Sequence, residues 1–145
     1  MEAKYKGIDV SKWQGDINWE KVRASGVEFA MLRAGFGRCQ GQNDTSFERN
    51  YREAKKNGIL VGAYHYSYAK TVSDAEKEAE YFLSLISGKS FEFPVAFDIE
   101  DNSQKNLSRE EISNIVEAFC GRTEKAGYFV SVYANLWWLN NKISD

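Results

Sequence analysis

The 145-residue sequence contains few of the side chains from which most metal and redox sites are built. It has one histidine, His65, and two cysteines, Cys39 and Cys120, which lie far apart and outside any CxxC pattern. A zinc site or a redox motif is therefore not expected, and a metal site made of several histidines is excluded. A disulfide between the two cysteines has no support in the sequence, and we expect Cys120 to be a buried free thiol.

Other absences narrow the function class. No apolar stretch approaches the ~20 residues needed to cross a bilayer, and residues 1–6 lack the apolar core of a signal peptide. The 19 basic residues form no stripe and are outnumbered by 21 acidic ones, which argues against nucleic acid as a partner. No glycine-rich phosphate loop follows the first predicted strand, so an open-sheet nucleotide-binding or signalling domain is a poor alternative.

Short apolar runs rich in β-branched and aromatic residues alternate with helical patterns along the chain. Such runs are typical of buried parallel strands. Strands are predicted over residues 5–11, 27–34, 58–66, 93–99 and 128–134, and helices over 17–25, 45–57, 73–87, 108–126 and from 136 to 143. Capping boxes are predicted at Ser73-x-x-Glu76 and Ser108-x-x-Glu111. Helix C′ positions are expected at Gly26, Gly58, Gly88 and Gly127.

The alternation of strand and helix predicts an α/β fold with a parallel sheet. Two architectures compete, an open doubly wound sheet and a (β/α) barrel. In the fourth strand the side chains of residues 95, 97 and 99 are apolar and share one face, whereas residues 96, 98 and 100 are small or acidic and share the other. A doubly wound sheet needs two apolar faces. The pattern therefore favours a TIM-like barrel, whose polar groups gather at the strand ends.

Polar side chains with inward parity follow the predicted strands at their carboxyl ends, where barrel enzymes place their active sites. They are Asp9, Ser11, Tyr64, Tyr66, Asp98, Glu100, Tyr133 and Asn135. Asp98 and Glu100 lie two residues apart on one strand, so their Cα atoms are about 6.6 Å apart and their side chains point the same way. Two such carboxyls in a desolvated pocket do not both ionise cheaply, and one then serves as a general acid, as glycoside hydrolysis requires.

A lone Asp-x-Glu is a weak signal, because such pairs usually lie at solvated strand ends. The buried apolar run before Asp98, and the same arrangement at Asp9, strengthen it. Arg33 either pairs with an inward carboxylate or is a surface cation, and the sequence leaves both open. His65 has the parity of the helix-facing residues and is expected to be structural. Trp137 and Trp138 follow the last strand, where one is expected in the core and the other beside a sugar site.

Five segments carry a resemblance to a known family. Residues 7–15, 29–37, 62–67, 97–100 and 132–135 read GIDVSKWQG, FAMLRAGFG, GAYHYS, FDIE and VYAN. In this order they resemble the motifs of glycoside hydrolase family 25 lysozymes, the N-acetylmuramidases. The resemblance covers nearly the whole chain.

The resemblance implies cleavage of the β-1,4 bond between N-acetylmuramic acid and N-acetylglucosamine in peptidoglycan. Glu100 would be the general acid. Asp98 would orient the substrate's N-acetyl group or act as a base, and Asp9 would shape the site electrostatically. Substrate-assisted and inverting routes both stay open. The expected sugar contacts are Tyr64, Tyr66, Tyr133, Arg33, Asn135 and Trp137. No metal or organic cofactor and no membrane partner is implied, and the expected place of action is the cell wall outside the cell, reached by phage endolysin-type release or an export route not visible here.

The family fold is an irregular barrel of eight strands, and such barrels typically need about 250 residues and at least ~200. Residues 1–145 predict about five strands. We therefore expect one domain, the N-terminal portion of a family 25 catalytic domain without its C-terminal strands. Open parallel edges would invite pairing with another copy. An active muramidase and an inactive fragment that binds wall glycan or self-associates both remain as hypotheses.

Overall fold

The computed structural model describes residues 5–143 as a five-stranded sheet with five α-helices and two single-turn 3₁₀ helices. The strands are β1 Gly7–Val10, β2 Phe29–Phe36, β3 Leu60–Tyr66, β4 Val95–Asp98 and β5 Val130–Tyr133. The helices are α1 Trp19–Ala24, α2 Phe47–Lys56, α3 Val72–Ile86, α4 Arg109–Lys125 and α5 Leu136–Asn141. Of the described helices, none combines the length and the apolar character that a membrane span requires.

The helix ends follow local capping chemistry. At α4 the predicted capping box is confirmed, since Ser108 Oγ accepts from the Glu111 amide and Glu111 Oε1 accepts from the Ser108 amide, both at 3.1 Å. At α3 the prediction is wrong, because Thr71 is the N-cap and its Oγ1 accepts from the Asp74 amide at 3.0 Å. Ser73 therefore lies inside the first turn. The four predicted C′ glycines all have a φ between 76° and 100°, which only glycine adopts without strain.

The sheet is parallel throughout, with the strands in the order β1-β2-β3-β4-β5. Parallel crossovers are right-handed as a rule, so an order that never reverses keeps the connecting helices on one face of the sheet. A doubly wound sheet reverses its order and covers both faces. The fold is therefore α/β with the winding of a TIM-like barrel, and the expectation of about five strands is confirmed. Within residues 5–143, β1 and β5 are the two unpaired edges.

The hydrophobic core lies between the sheet and its helices. Helix-facing side chains such as Val61 and Ala63 are fully buried, and the ring of Phe97 stacks on Phe119 of α4 with centroids 4.1 Å apart. The edge strand β5 is only half-buried along its length. The helix side thus supplies the stability, and the other face and the strand ends are free to carry polar groups.

Candidate active site

The three predicted catalytic carboxylates lie together at the carboxyl ends of the strands. A cleft of about 380 Å³ is lined by Asp9, Asp98, Glu100, Val132, Tyr133, Ala134 and Leu139. Asp9 comes from β1, and Asp98 from β4, three strand positions away in the sheet. In a flat sheet these strands would be about 14 Å apart. Curvature of the sheet therefore brings the carboxylates into one cleft, as in a barrel wall.

Asp98 and Glu100 share this cleft because the backbone stays extended past the end of β4. The Ser67 amide donates to Asp98 O at 2.8 Å and the Ile99 amide donates to Tyr133 O at 2.9 Å, which holds the chain between its two neighbours. Asp98 is only 8% exposed, and its Oδ1 atom has no hydrogen-bond partner among the described residues. Glu100 is half-buried at the mouth of the cleft.

The electrostatics favour a proton on this carboxyl pair. Burial raises the pKa of Asp98 well above its usual range, and the neighbouring Glu100 and Asp9 carboxylates raise it further. Arg33 opposes this increase in pKa only in part. The sequence predicted that one of the two carboxyls stays protonated near neutral pH. The deeper burial of Asp98 makes it the group that holds the proton in the free protein.

Tyr64 and Tyr133 flank the carboxylates from β3 and β5, with ring centroids 6.5 Å apart. Burial raises the pKa of both phenols, and the nearby Asp9 and Asp98 carboxylates raise it further. Both side chains are therefore neutral hydroxyls that donate or accept hydrogen bonds. The structure thus brings two predicted sugar contacts together with the predicted acids.

Tyr66 lies beside Asp98 in the sheet register, but its hydroxyl is already occupied. Its Oη donates to Asp101 Oδ1 at 3.0 Å, and Asp101 caps the 3₁₀ turn that follows Glu100. The Tyr68 ring, which sequence reasoning did not select, lies 5.2 Å from the Tyr66 ring and is partly exposed. Tyr66 is therefore tied to the loop that carries Glu100.

Arg33 is not a surface cation. Its Nε donates to Asp44 Oδ2 at 2.9 Å, in an ion pair whose side chains are 11% and 0% exposed. Asp44, which the sequence analysis did not select, also accepts from the Lys12 and Ser46 amides, each at 2.9 Å. Since Arg33 lies close enough to influence Tyr64, it supports the site electrostatically from beneath.

The remaining predicted sugar contacts lie apart from the carboxylates. Asn135 is the N-cap of α5, and its Oδ1 accepts from the Trp138 amide at 3.1 Å. Trp137 is exposed, with the Lys105 ammonium 5.4 Å from its ring centre, and it does not line the cleft. Trp138 is the tryptophan of the pair that lies in the core, and Leu139 is the α5 side chain that lines the cleft.

His65 lies on the helix side of the sheet, as its parity predicted. It is fully buried among aromatic rings, including Phe82 at 5.5 Å and Phe119 at 6.0 Å between centroids. Its Nε2 is 2.7 Å from Gly37 O, and burial lowers its pKa to about 4. The imidazole is thus neutral and structural. Both cysteines are free, and within residues 5–143 no three His, Cys, Asp or Glu side chains are arranged so that they could hold a metal ion together.

Two buried polar residues near the cleft escaped the sequence reasoning, Glu78 of α3 and Gln104 of the second 3₁₀ turn. A signal for Glu78 exists, because it follows Ala75 by three residues and precedes Phe82 by four, on the apolar face of the helix. A signal for Gln104 also exists, because Asp101-x-x-Gln104 has the spacing of a capping box, and the structure shows this cap.

Comparison with known proteins supplies a family. The family described as Glycosyl hydrolases family 25 matches residues 8–145. Lysozyme M1 of Streptomyces globisporus is 34% identical over 145 residues, covering 93% of this chain. The family 25 glycosyl hydrolase of Bacillus anthracis superposes with a TM-score of 0.85 at 28% identity, covering all of this chain. The modular autolysin LytC of Streptococcus pneumoniae, solved with a synthetic peptidoglycan ligand, gives a TM-score of 0.84 at 27% identity over 95% of this chain.

This chain matches only part of the length of each of these proteins. The chain spans 48% of Lysozyme M1, 68% of the Bacillus anthracis protein and 34% of LytC. The described cleft thus corresponds to part of each of these longer proteins.

Proposed function

The chain belongs to glycosyl hydrolases family 25, and on that premise we propose that it is a peptidoglycan hydrolase acting on the β-1,4 bond between N-acetylmuramic acid and N-acetylglucosamine. The observation that carries the proposal is the gathering of Asp9, Asp98 and Glu100 in one cleft at the carboxyl ends of the strands. The lysozyme name of one relative and the peptidoglycan ligand of LytC point to the same substrate.

Glu100 is proposed as the general acid, because it is the carboxyl at the mouth of the cleft. In the free protein Asp98 is the carboxyl whose pKa burial raises, so it is the proposed source of the proton. A glycan laid over Glu100 removes water from it, which favours its protonated form. Glu100 then donates this proton to the glycosidic oxygen as the bond from that oxygen to C1 of the N-acetylmuramic acid breaks. On the substrate-assisted route the substrate's N-acetyl oxygen bonds to C1, and water then displaces it and returns a proton to Glu100.

Asp98 is proposed to orient the substrate's N-acetyl group once its proton has moved to Glu100. Asp98 lines the cleft beside Glu100, and its carboxylate is an acceptor for the acetamido N–H. This favours the substrate-assisted route over the inverting one. Asp9 adds negative charge that stabilises the developing positive sugar, and the neutral Tyr64 and Tyr133 hydroxyls bind sugar hydroxyls.

The proposed setting follows from the substrate. Residues 1–145 are assigned as one catalytic unit that forms the N-terminal part of a family 25 domain, acting on the cell wall outside the cell. A second candidate is a glycan-binding or self-associating fragment. It is favoured by the half-buried β5 edge and by the exposure of Phe129 (79%) and Leu136 (72%) beside it. An open strand edge of this kind pairs readily with a second copy.

Clearing of a purified peptidoglycan suspension tests the proposal. The wild-type chain should clear it, and Glu100→Gln should slow clearing by about 10²- to 10⁴-fold, the usual contribution of a general acid. Glu117→Gln, an exposed glutamate on α4, is the matched control and should clear at the wild-type rate. Equal clearing by wild type and Glu100→Gln removes Glu100 from the mechanism. Clearing by none of the three, together with a dimeric mass in solution, supports the second candidate.

A further inference from the structure

Two loops leave the carboxyl end of the sheet side by side next to the cleft. One joins β3 to α3 and begins at Ser67; the other joins β4 to α4 and contains Glu100 and Asp101. At the end of β3, just before the first loop, Tyr66 Oη donates to Asp101 Oδ1 of the second loop. Tyr66 immediately precedes Ser67, and Asp101 immediately follows Glu100. The separation of the two loops therefore affects where the side chains of Tyr66 and Asp101 lie.

Glu78 of α3 holds the first loop from behind. It is 1% exposed, and both carboxylate oxygens are used. Oε1 accepts from Ser67 Oγ at 2.7 Å, and Oε2 accepts from the Tyr68 amide at 2.9 Å. The first loop is thus fixed to a helix of the core at two successive residues.

Gln104 connects this anchored loop to the second one. It is fully buried, and its Nε2 donates to Ser67 Oγ at 3.2 Å and to Ala69 O at 2.8 Å. Its Oε1 accepts from the Asp101 amide at 3.3 Å. The Gln104 side chain thus connects Ser67 of the first loop to Asp101 of the second, and both of its polar atoms are hydrogen-bonded.

From this geometry we propose that Glu78 and Gln104 are positioning residues, a buried latch that sets the spacing of the two loops and thereby the placement of Tyr66 and Asp101, the neighbours of the cleft residues Asp98 and Glu100. The effect on glycan rests on the proposed function, whereas the coupling of the loops does not. At the centre of the latch, the hydroxyl of Ser67 is fully hydrogen-bonded. Ser67 Oγ donates to Glu78 and accepts from both Gln104 and the Ala69 amide, which uses its full hydrogen-bonding capacity.

Hydrogen exchange tests the coupling without any glycan. In the full chain, Glu78→Ala and Gln104→Ala should each speed amide exchange about tenfold, the effect of losing one hydrogen bond, in both loops at once. The two segments to compare are residues 67–71 and 101–106. Glu76→Ala is the matched control, since it removes a glutamate of the same helix whose ion pair with Arg122 lies on the surface. It should leave exchange in both segments unchanged.

Kinetics on peptidoglycan fragments test the effect on the cleft. Each latch variant should raise KM several-fold, up to about tenfold. It should lower kcat less than KM rises, because the backbone hydrogen bonds at Asp98 and Ile99 still hold the end of β4 between its neighbours. Glu78→Gln keeps one acceptor and should recover part of the KM loss. In a double-mutant cycle, Gln104→Ala and Tyr66→Phe should be non-additive, since both act on the contact between Tyr66 and Asp101. A merely structural role would give additive effects.

The outcomes separate the latch from the proposed function. Faster exchange in residues 67–71 alone after Gln104→Ala, or KM values equal to that of Glu76→Ala, would overturn the latch. An inert wild-type chain would refute the proposed function while the exchange experiment still decides whether the loops are coupled. Coupled exchange together with a non-additive KM cycle supports the whole proposal.

Discussion

Buried carboxylates lie in two regions at the same end of this sheet, and their surroundings are opposite. Outside the cleft, Asp44 in the loop after β2 and Glu78 on α3 receive hydrogen bonds from side chains and backbone amides. In the cleft, Asp98 has a buried oxygen with no partner among the described residues and has other carboxylates as neighbours. The difference teaches that burial alone does not mark a reactive acid.

The pKa values of the two regions express the same contrast. Burial is the largest influence on both Asp98 and Glu78 and raises the pKa of each. At Glu78 the hydrogen bonds from Tyr68 and Ser67 counteract burial, and the pKa reaches about 7. At Asp98 the nearest groups add to the effect of burial instead. A buried carboxylate whose hydrogen bonds are all made stabilises the structure. A buried carboxylate that lacks hydrogen-bond partners lowers stability, and we expect it where a ligand binds.

The largest expected effect comes from neutralising the unsatisfied acid. Asp98→Asn should reduce hydrolysis of peptidoglycan about 10²- to 10⁴-fold, the range for an acid-base group, because an amide neither holds the shared proton nor accepts in the same way. Its unfolding midpoint in urea should not fall, since the change removes a buried ionisable group. Asp16→Asn, on an exposed loop residue, is the control and should retain full activity. A normal rate for Asp98→Asn would end the contrast drawn above.

A smaller effect, on stability instead of rate, is expected from removing the cation that pairs with the buried Asp44 carboxylate. Arg33→Met should lower the free energy of unfolding by about 3 kcal/mol, because it leaves the Asp44 carboxylate buried without its cation. Adding Asp44→Asn should recover part of this loss. Arg38→Met, which removes an exposed ion pair with Asp74, should cost no more than about 1 kcal/mol. Urea unfolding of the three variants measures the difference, and equal losses for Arg33→Met and Arg38→Met would contradict it.

The smallest effect is a slope of stability against pH. Above pH 6.5 the buried His65, with its pKa lowered to about 4, is neutral in the folded chain. An unfolded histidine is about half protonated at pH 6.5 and largely neutral above about pH 7.5, so His65 opposes the slope in part at the lower end of this range. Unfolded carboxyls have lost their protons by then, while Asp98 and Glu78, with raised pKa values, still hold theirs in the folded state. The folded state binds more protons, so the free energy of unfolding falls as pH rises.

Urea unfolding between pH 6.5 and 8 measures this slope. Asp98→Asn and Glu78→Gln should each flatten it, and the double variant should remove most of it. A slope that is unchanged by both substitutions would show that neither carboxyl holds a proton in this range.

Much of the fold was predictable because local chemistry decides it. The cap at Ser108 and the four C′ glycines were read correctly from single residues. At α3, by contrast, Thr71-x-x-Asp74 and Ser73-x-x-Glu76 both fit a helix start, and the sequence pattern cannot rank them. The partner of Arg33 was left open for a similar reason. Asp44 lies eleven residues downstream across a turn, and its burial comes from how β2 and its following loop pack.

The sequence by itself determined which segments form strands and which faces of the helices are apolar. It also determined that Asp98 and Glu100 point in the same direction, because side chains alternate with a period of two along any strand. Only the tertiary structure decided which carboxylates are satisfied. It places Asp9 of β1 in the same cleft as Asp98 of β4, and it places Gln104 against Ser67. These contacts join residues far apart in the chain, so they depend on sheet curvature and loop packing that no local pattern encodes.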